Sequence, residues 1–161
     1  METIQFHPIG IIRSPFKEAK GTPIQPTAEG SAGAQIDIYP EFREGLEDLQ
    51  GFSHIILLYY FHRAGQYSLK VKPFLDNKEH GLFATRAPAR PNAIGLSVVG
   101  LVSIQGNSVS VRDADILDGT PLLDIKPYVP DFDVRDNTKT GWFAAASGKH
   151  RNMKDDGRFL K

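Results

Sequence analysis

The chain has 161 residues, 40% of them hydrophobic and 24% charged, which fits one folded domain with enough apolar surface to offset the entropy of ordering it. Cysteine is absent, which excludes disulfides, thiolate nucleophiles and cysteine-ligated zinc; no apolar run reaches the ~18 residues of a membrane span, and the start METIQFHPIG lacks the form of an export signal, so a cytoplasmic location is expected. Nineteen basic residues balance nineteen acidic ones, so any nucleic acid would be held by a local basic patch and not by the field of the whole domain.

Pro and Gly are evenly spread and cut the sequence into short apolar runs, the pattern of many short strands joined by turns. Residues 4–12 form the first predicted strand. In the second, over residues 34–39, Ala34, Ile36 and Ile38 alternate with Gln35, Asp37 and Tyr39, so one face is buried and the other wet. A short helix is predicted over residues 41–49, where Phe42, Leu46 and Leu49 recur at helical spacing and Gly51 follows as a stop signal. Residues 55–61 are apolar without alternation, which predicts a central strand covered on both faces. Further strands are predicted over residues 69–74, 82–85, 96–104 and 109–114. The last two flank Gln105-Gly106-Asn107-Ser108, whose Gly-Asn centre can supply the positive φ that a tight hairpin needs. A second short helix is predicted over residues 142–147, closed by Gly148, and the polar residues 149–161 read as a mobile tail. Antiparallel runs at this spacing fit a barrel or sandwich better than alternating β-α units.

Several chemistries are missing from the sequence. Neither a G-x-G-x-x-G nor a G-x-x-x-x-G-K-[ST] run occurs; Gly95 and Gly100 have phosphate-loop spacing, but Leu101 and Val102 replace the Lys and the hydroxyl residue. Gly51-Phe52-Ser53-His54-Ile55 begins like a nucleophile elbow, yet Ile55 stands where the second glycine must be. His7, His54, His62, His80 and His150 are scattered, with no H-E-x-x-H pair, so no metal site is expected.

Two segments carry candidate chemistry. Over residues 85–97, Pro88 and Pro91 stiffen a loop from which Arg86 and Arg90 project, an arrangement suited to fork-like recognition of a carboxylate or phosphate, and equally to pairing with a nearby Asp. Over residues 113–128, Asp113, Asp115, Asp118 and Asp124 surround the turn Gly119-Thr120-Pro121. An Asx turn in which Asp118 bonds its own backbone accounts for Asp118-Gly119, but leaves Asp124 and Lys126-Pro127-Tyr128 unexplained.

Taken together, Ile9-Gly10-Ile11-Ile12-Arg13-Ser14-Pro15-Phe16-Lys17, Phe52-Ser53-His54, Phe83-Ala84-Thr85-Arg86, Arg90-Pro91-Asn92-Ala93-Ile94-Gly95-Leu96-Ser97 and Leu117-Asp118-Gly119-Thr120-Pro121-Leu122-Leu123-Asp124-Ile125-Lys126-Pro127-Tyr128 resemble the TsaA/TrmO-like methyltransferases, in the same order over residues 4–130. The resemblance implies a mainly β protein: a small, dimeric, single-domain β-barrel over residues 1–135 with one or two short helices, then a C-terminal short helix and polar tail over residues 136–161. It implies S-adenosylmethionine as cofactor without a Rossmann fold. The implied reaction is N6-methylation of N6-threonylcarbamoyladenosine next to the anticodon of threonine tRNA. A methyltransferase for another small or protein substrate, and a non-catalytic S-adenosylmethionine-binding module, are the alternatives.

Carried over by position, the cofactor contacts fall on Pro23, Ile24, Gln25, His62, Arg63, Arg86, Leu96, Ile116, Leu117, Asp118 and Gly119. Arg86 would pair a carboxylate and Asp118 would accept from an ammonium or ribose. For the implied reaction, Asp118, His62 and Tyr128 are candidate proton acceptors, and Arg13, Arg90, Asn92 and Lys126 candidate substrate contacts. Arg13, Arg63, Lys70 and Lys72 are basic residues that two copies could join into one RNA track. Ile24 stands where some relatives carry Arg, and the additional C-terminal region of many bacterial members does not follow residue 131; at this point one polar contact and the docking of tRNA stay open.

Overall fold

The computed structural model describes residues 2–26, 31–146 and 153–160. Six strands close into an antiparallel barrel: β1 (Gly10–Arg13), β2 (Ala32–Ile38), β3 (His54–Tyr60), β6 (Ile94–Gln105), β7 (Ser108–Ala114) and β8 (Thr120–Pro127), in the order β1-β2-β7-β6-β3-β8. Two further strands, β4 (Lys70–Val71) and β5 (His80–Gly81), form a separate ribbon within the connection between β3 and β6. Closure comes from β1 against β8, with Gly10 opposite Leu122 and Ile12 opposite Thr120, and it leaves the barrel without an edge for another chain to extend.

The core follows from period-two alternation. Ile36 and Ile38 on β2, Ile55 and Leu57 on β3, Val109 on β7 and Leu122 on β8 point inward and are essentially fully buried. The β6–β7 hairpin turns at Gly106-Asn107 as expected, with the positive φ of +62° on Gly106 alone of the pair. The Asn107 side-chain amide then donates to the Ile38 carbonyl at 2.7 Å, tying the hairpin tip to β2.

Several expected elements differ. The first strand begins only at Gly10, and Ile4 and Phe6 are 78% and 65% exposed. Pro8 has no N–H to continue the ladder, whereas Ile9 beside it already donates to the Leu122 carbonyl at 2.8 Å. β3 is not a central strand covered on both faces: a closed barrel has no centre, Ile56 and Leu58 on the outer face are half-buried, and Tyr60 is exposed. Residues 82–85 are a 3-10 turn, Leu82–Ala84, closed by the Thr85 hydroxyl donating to the Leu82 carbonyl at 2.8 Å. Of residues 69–74 only Lys70–Val71 is strand.

The helix expected over residues 41–49 is two 3-10 turns, Pro40–Leu46 and Leu49–Gly51, separated by Asp48 at φ +63°. Leu46 and Leu49 are buried as their spacing implies, but Phe42 is 40% exposed, because the 3-10 turns do not carry the three residues to one face as an α-helix would. The second expected helix is a 3-10 segment, Gly141–Ala146; Ser147 and Gly148 lie outside the described residues. Residues 153–160 do not form a free tail. Lys154 bridges Pro23, Leu160 bridges Ala64, and the Phe159 ring meets Phe74 edge-on at 5.2 Å. Strand β8 lies in the segment read from sequence only as an acidic turn; its Asp124 is paired with Lys126 at 2.7 Å, and Leu122 fills the core.

Candidate active site

Connections in an antiparallel barrel leave from alternate ends, so those following β1, β3 and β7 gather at one mouth and those following β2, β6 and β8 at the other. The first mouth collects Pro23, Ile24 and Gln25 after β1, His62, Arg63 and Arg86 after β3, and Ile116, Leu117, Asp118 and Gly119 after β7. Arg13 at the end of β1, Arg90 and Asn92 just before β6, and Leu96 near the start of β6 lie toward the same end. Tyr128 and Lys126 do not. The Tyr128 N–H donates to the His54 carbonyl at 3.1 Å, and His54 opens the strand whose other end leads to His62. The length of β3, roughly 20 Å at ~3.3 Å per residue, separates Tyr128 from the other candidate acid-base groups.

The turn after β7 is built by contacts across the barrel. Gly119, at φ +75°, donates to the Ile12 carbonyl at 2.8 Å, and Asp118 N–H donates to Phe16. Asp118 does not close an Asx turn on its own backbone. Its Oδ1 accepts from the Ser14 N–H at 3.1 Å and its Oδ2 from the Lys17 ammonium at 2.8 Å, while the Ser14 hydroxyl donates to the Ile116 carbonyl at 2.6 Å. The Lys17 and Ser14 hydrogen bonds hold the Asp118 carboxyl below its ordinary value.

A carboxyl lowered in this way stabilises the fold above its unfolded pKa, and the contribution is lost as pH falls through the folded value. Asp118→Asn should therefore lower the melting temperature near neutral pH and converge with the wild type in acid, which paired thermal scans at about pH 7 and about pH 2 check.

His62 is half-buried at the end of β3. Thr120 has one hydroxyl proton, which it donates to the Leu117 carbonyl at 2.7 Å; its 3.3 Å contact with His62 is then an Nδ1–H donating to the Thr120 oxygen. That tautomer leaves a lone pair on Nε2. Burial, then the Arg63 charge, lower the His62 pKa against the opposing pull of Asp118, so the ring is neutral at neutral pH.

The two stiffened arginines play different parts. Arg86 is exposed and reaches the Gln25 side chain at 3.4 Å; among the described residues most of its fork of donors is open. Arg90 donates to the carbonyls of Thr85 at 2.9 Å and Ala87 at 3.2 Å, so it holds its own loop closed. Arg63 reaches the Lys17 carbonyl at 3.3 Å and links the loops after β1 and β3. An open groove bordered by Arg13, Ser14, Lys17, Gly33 and Arg112 runs up to Asp118, but His62 and Arg86 are not on its walls. Among the described residues no three His, Asp or Glu side chains come together as metal ligands, and no helix is long and apolar enough to cross a membrane.

Sequence reasoning missed one group here. Ser97 on β6 donates to Asp115 Oδ1 at 2.8 Å and meets the Tyr59 hydroxyl at 3.0 Å. Burial pushes the Asp115 carboxyl up to about 6. The signal available was Ser97 itself, which shares the inward phase of Val99 and so stands as a polar residue on a core-facing position.

Residues 11–134 match the family model described as the tRNA-methyltransferase O N-terminal domain. A probable S-adenosyl-L-methionine-binding protein of Pyrococcus abyssi is 57% identical over 157 residues, which span 98% of this chain and 85% of that protein. The tRNA (adenine(37)-N6)-methyltransferase of Mus musculus is 39% identical over 137 residues, 81% of this chain but 32% of its own length. The crystal structure of TrmO from Pseudomonas aeruginosa superposes with a TM-score of 0.74 at 40% identity, covering 88% of this chain and 63% of that one.

Proposed function

Because this chain belongs to the family of the tRNA-methyltransferase O N-terminal domain, we propose that it is an S-adenosylmethionine-dependent methyltransferase acting on N6 of a tRNA adenosine beside the anticodon, with N6-threonylcarbamoyladenosine of threonine tRNA as substrate. The observation that supports this reading is the convergence of three separate connections on one end of the barrel, which carry an exposed arginine, a fixed carboxylate and, under that carboxylate's influence, a neutral imidazole. The residues suit the cofactor's polar ends. Arg86 has donors free for a carboxylate, and Asp118, already a hydrogen-bond acceptor to an ammonium, is an acceptor for another ammonium or a hydroxyl.

S-adenosylmethionine, when bound, supplies an electrophilic methyl group on a sulfonium. The chain's own work is placement and exclusion of water. Gln25 holds Arg86, Lys17 ties Asp118 to the loop bearing Ser14, and Pro23, Ile24, Leu96 and Leu117 offer apolar walls. His62, fixed through Thr120, presents Nε2 as an acceptor that orients a donor. We place the protein in the cytoplasm as a homodimer, in which Arg13, Arg63, Lys70 and Lys72 of two copies form one RNA track.

Incubating the protein with labelled methyl donor and total tRNA tests the reading. Label in tRNA is expected. Calorimetric binding of S-adenosylmethionine without transfer to tRNA would favour the non-catalytic binding module, and transfer to a protein or small molecule instead would favour the other alternative.

A further inference from the structure

Among the inward-facing side chains of β3 and β6, Tyr59 and Ser97 are polar, 5% and 1% exposed, and they form one chain with Asp115. Ser97 has a single hydroxyl proton and gives it to Asp115, so Tyr59 donates to Ser97; both O–H groups point along the chain toward the carboxylate. The backbone is shaped around this chain. At Gly95 a Cβ would lie 2.2 Å from the Tyr59 ring. On β7 an extra residue opposes β2, since Ala32 pairs with Ala114 but Ala34 with Val111, and Asp113 adopts φ +63° within that bulge. The bulge resets the inward phase to Ala114 and Ile116 and leaves Asp115 partly exposed at the mouth, directly before the turn Ile116 to Gly119.

We propose that Asp115 takes the proton from the nitrogen that receives the methyl group, with Ser97 and Tyr59 as its positioning residues; this rests on the methyl-transfer reading above. As the N–C bond forms to the methyl carbon, the S–C bond electrons leave with sulfur and the N–H bond breaks. Its electron pair stays on nitrogen and its proton passes to the Asp115 carboxylate. The charge balance favours Asp115 over the other groups at this mouth. Proton uptake turns a partly desolvated anion into a neutral acid, whereas uptake by His62 would create a half-buried cation beside Arg63. The hydrogen bonds from Lys17 and Ser14 stabilise the Asp118 anion, which makes it the weaker base of the two carboxylates while leaving it able to accept from a ligand. The charged and titratable groups acting on Asp115 are Arg86, which opposes the rise, and Tyr59, whose own pKa is raised by burial and by Asp115.

The test uses the full chain with Asp115→Asn and Tyr59→Phe. In single-turnover methylation of tRNA the wild-type rate should rise with a midpoint near about 6. Asp115→Asn should lose that limb and ~10²-fold or more in rate while calorimetric affinity for S-adenosylmethionine stays within about twofold. Tyr59→Phe should shift the midpoint without removing it. Without any ligand, a carboxyl raised in the fold weakens stability as pH rises through its folded value, so Asp115→Asn should raise the melting temperature relative to the wild type at about pH 8 but not at about pH 4. An unchanged rate and pH profile in Asp115→Asn, or a melting shift equal at both pH values, overturns the assignment. Absence of any transfer by the wild type would overturn the methyl-transfer reading first, and this assignment with it.

Discussion

Gly95→Ala is expected to destabilise the barrel by about 1–3 kcal/mol, the usual cost of forcing extra volume into a filled core. The added Cβ would lie 2.2 Å from Tyr59 Cε2 and 2.5 Å from Cζ, so the ring itself has to move. It has little room: its hydroxyl is bonded to Ser97 at 3.0 Å, its edge meets Phe61 at 5.3 Å, and the side chain is buried. Gly51, where a Cβ would meet nothing within 4 Å, supplies the control. Denaturant unfolding of the two alanine variants should separate them clearly, and a Gly95→Ala effect within about 0.5 kcal/mol of the control would show that the Tyr59 position is not constrained as described.

Arg86→Ala should weaken S-adenosylmethionine binding by about tenfold or more, since a charge-assisted hydrogen bond is worth ~1.5–3 kcal/mol and each ~1.4 kcal/mol is a factor of ten. Stability should change little, because Arg86 is exposed and its hydrogen bond to Gln25 is 3.4 Å long, beside a charge interaction with Asp115. Arg90→Ala should do the reverse: the loop loses two carbonyl clamps and some stability while the cofactor is bound nearly as before. Arg86→Lys keeps the charge but not the fork, so intermediate binding is expected. Calorimetry on the three variants checks all of this, and equal binding by wild type and Arg86→Ala would remove Arg86 from the cofactor site.

How far the sequence could be read depended on the range of the signal. Alternation at Ala34, Ile36 and Ile38 located β2 to within two residues, because burial on one face writes itself into neighbouring positions. Periodicity names faces but not partners, so closure of β1 on β8 was not legible from it: strand spacing left barrel and sandwich both open, and the family resemblance chose the barrel. β8 went unseen because Leu122-Leu123-Asp124-Ile125-Lys126 lacks clean alternation, and Asp124 and Lys126, which neutralise each other on the outer side, stayed unexplained by the turn beside them. The same limit governs the candidate site. Asp118 and His62 do share a mouth, but Tyr128, only ten positions past Asp118, is carried by β8 to the opposite end. Asp115 stood in a segment already noted for its acids, yet its partner Ser97 lies eighteen residues away on the next strand, a pairing that only the register of β6 and β7 reveals.

The central claim is tested most directly by identifying the methylated nucleoside. Threonine tRNA with and without the threonylcarbamoyl group would be incubated with the protein and labelled S-adenosylmethionine, digested to nucleosides and resolved by mass spectrometry. The account predicts one methyl on N6 of threonylcarbamoyladenosine beside the anticodon and none in the tRNA lacking that group. A methyl on another nucleoside, or equal labelling of both tRNAs, would contradict it.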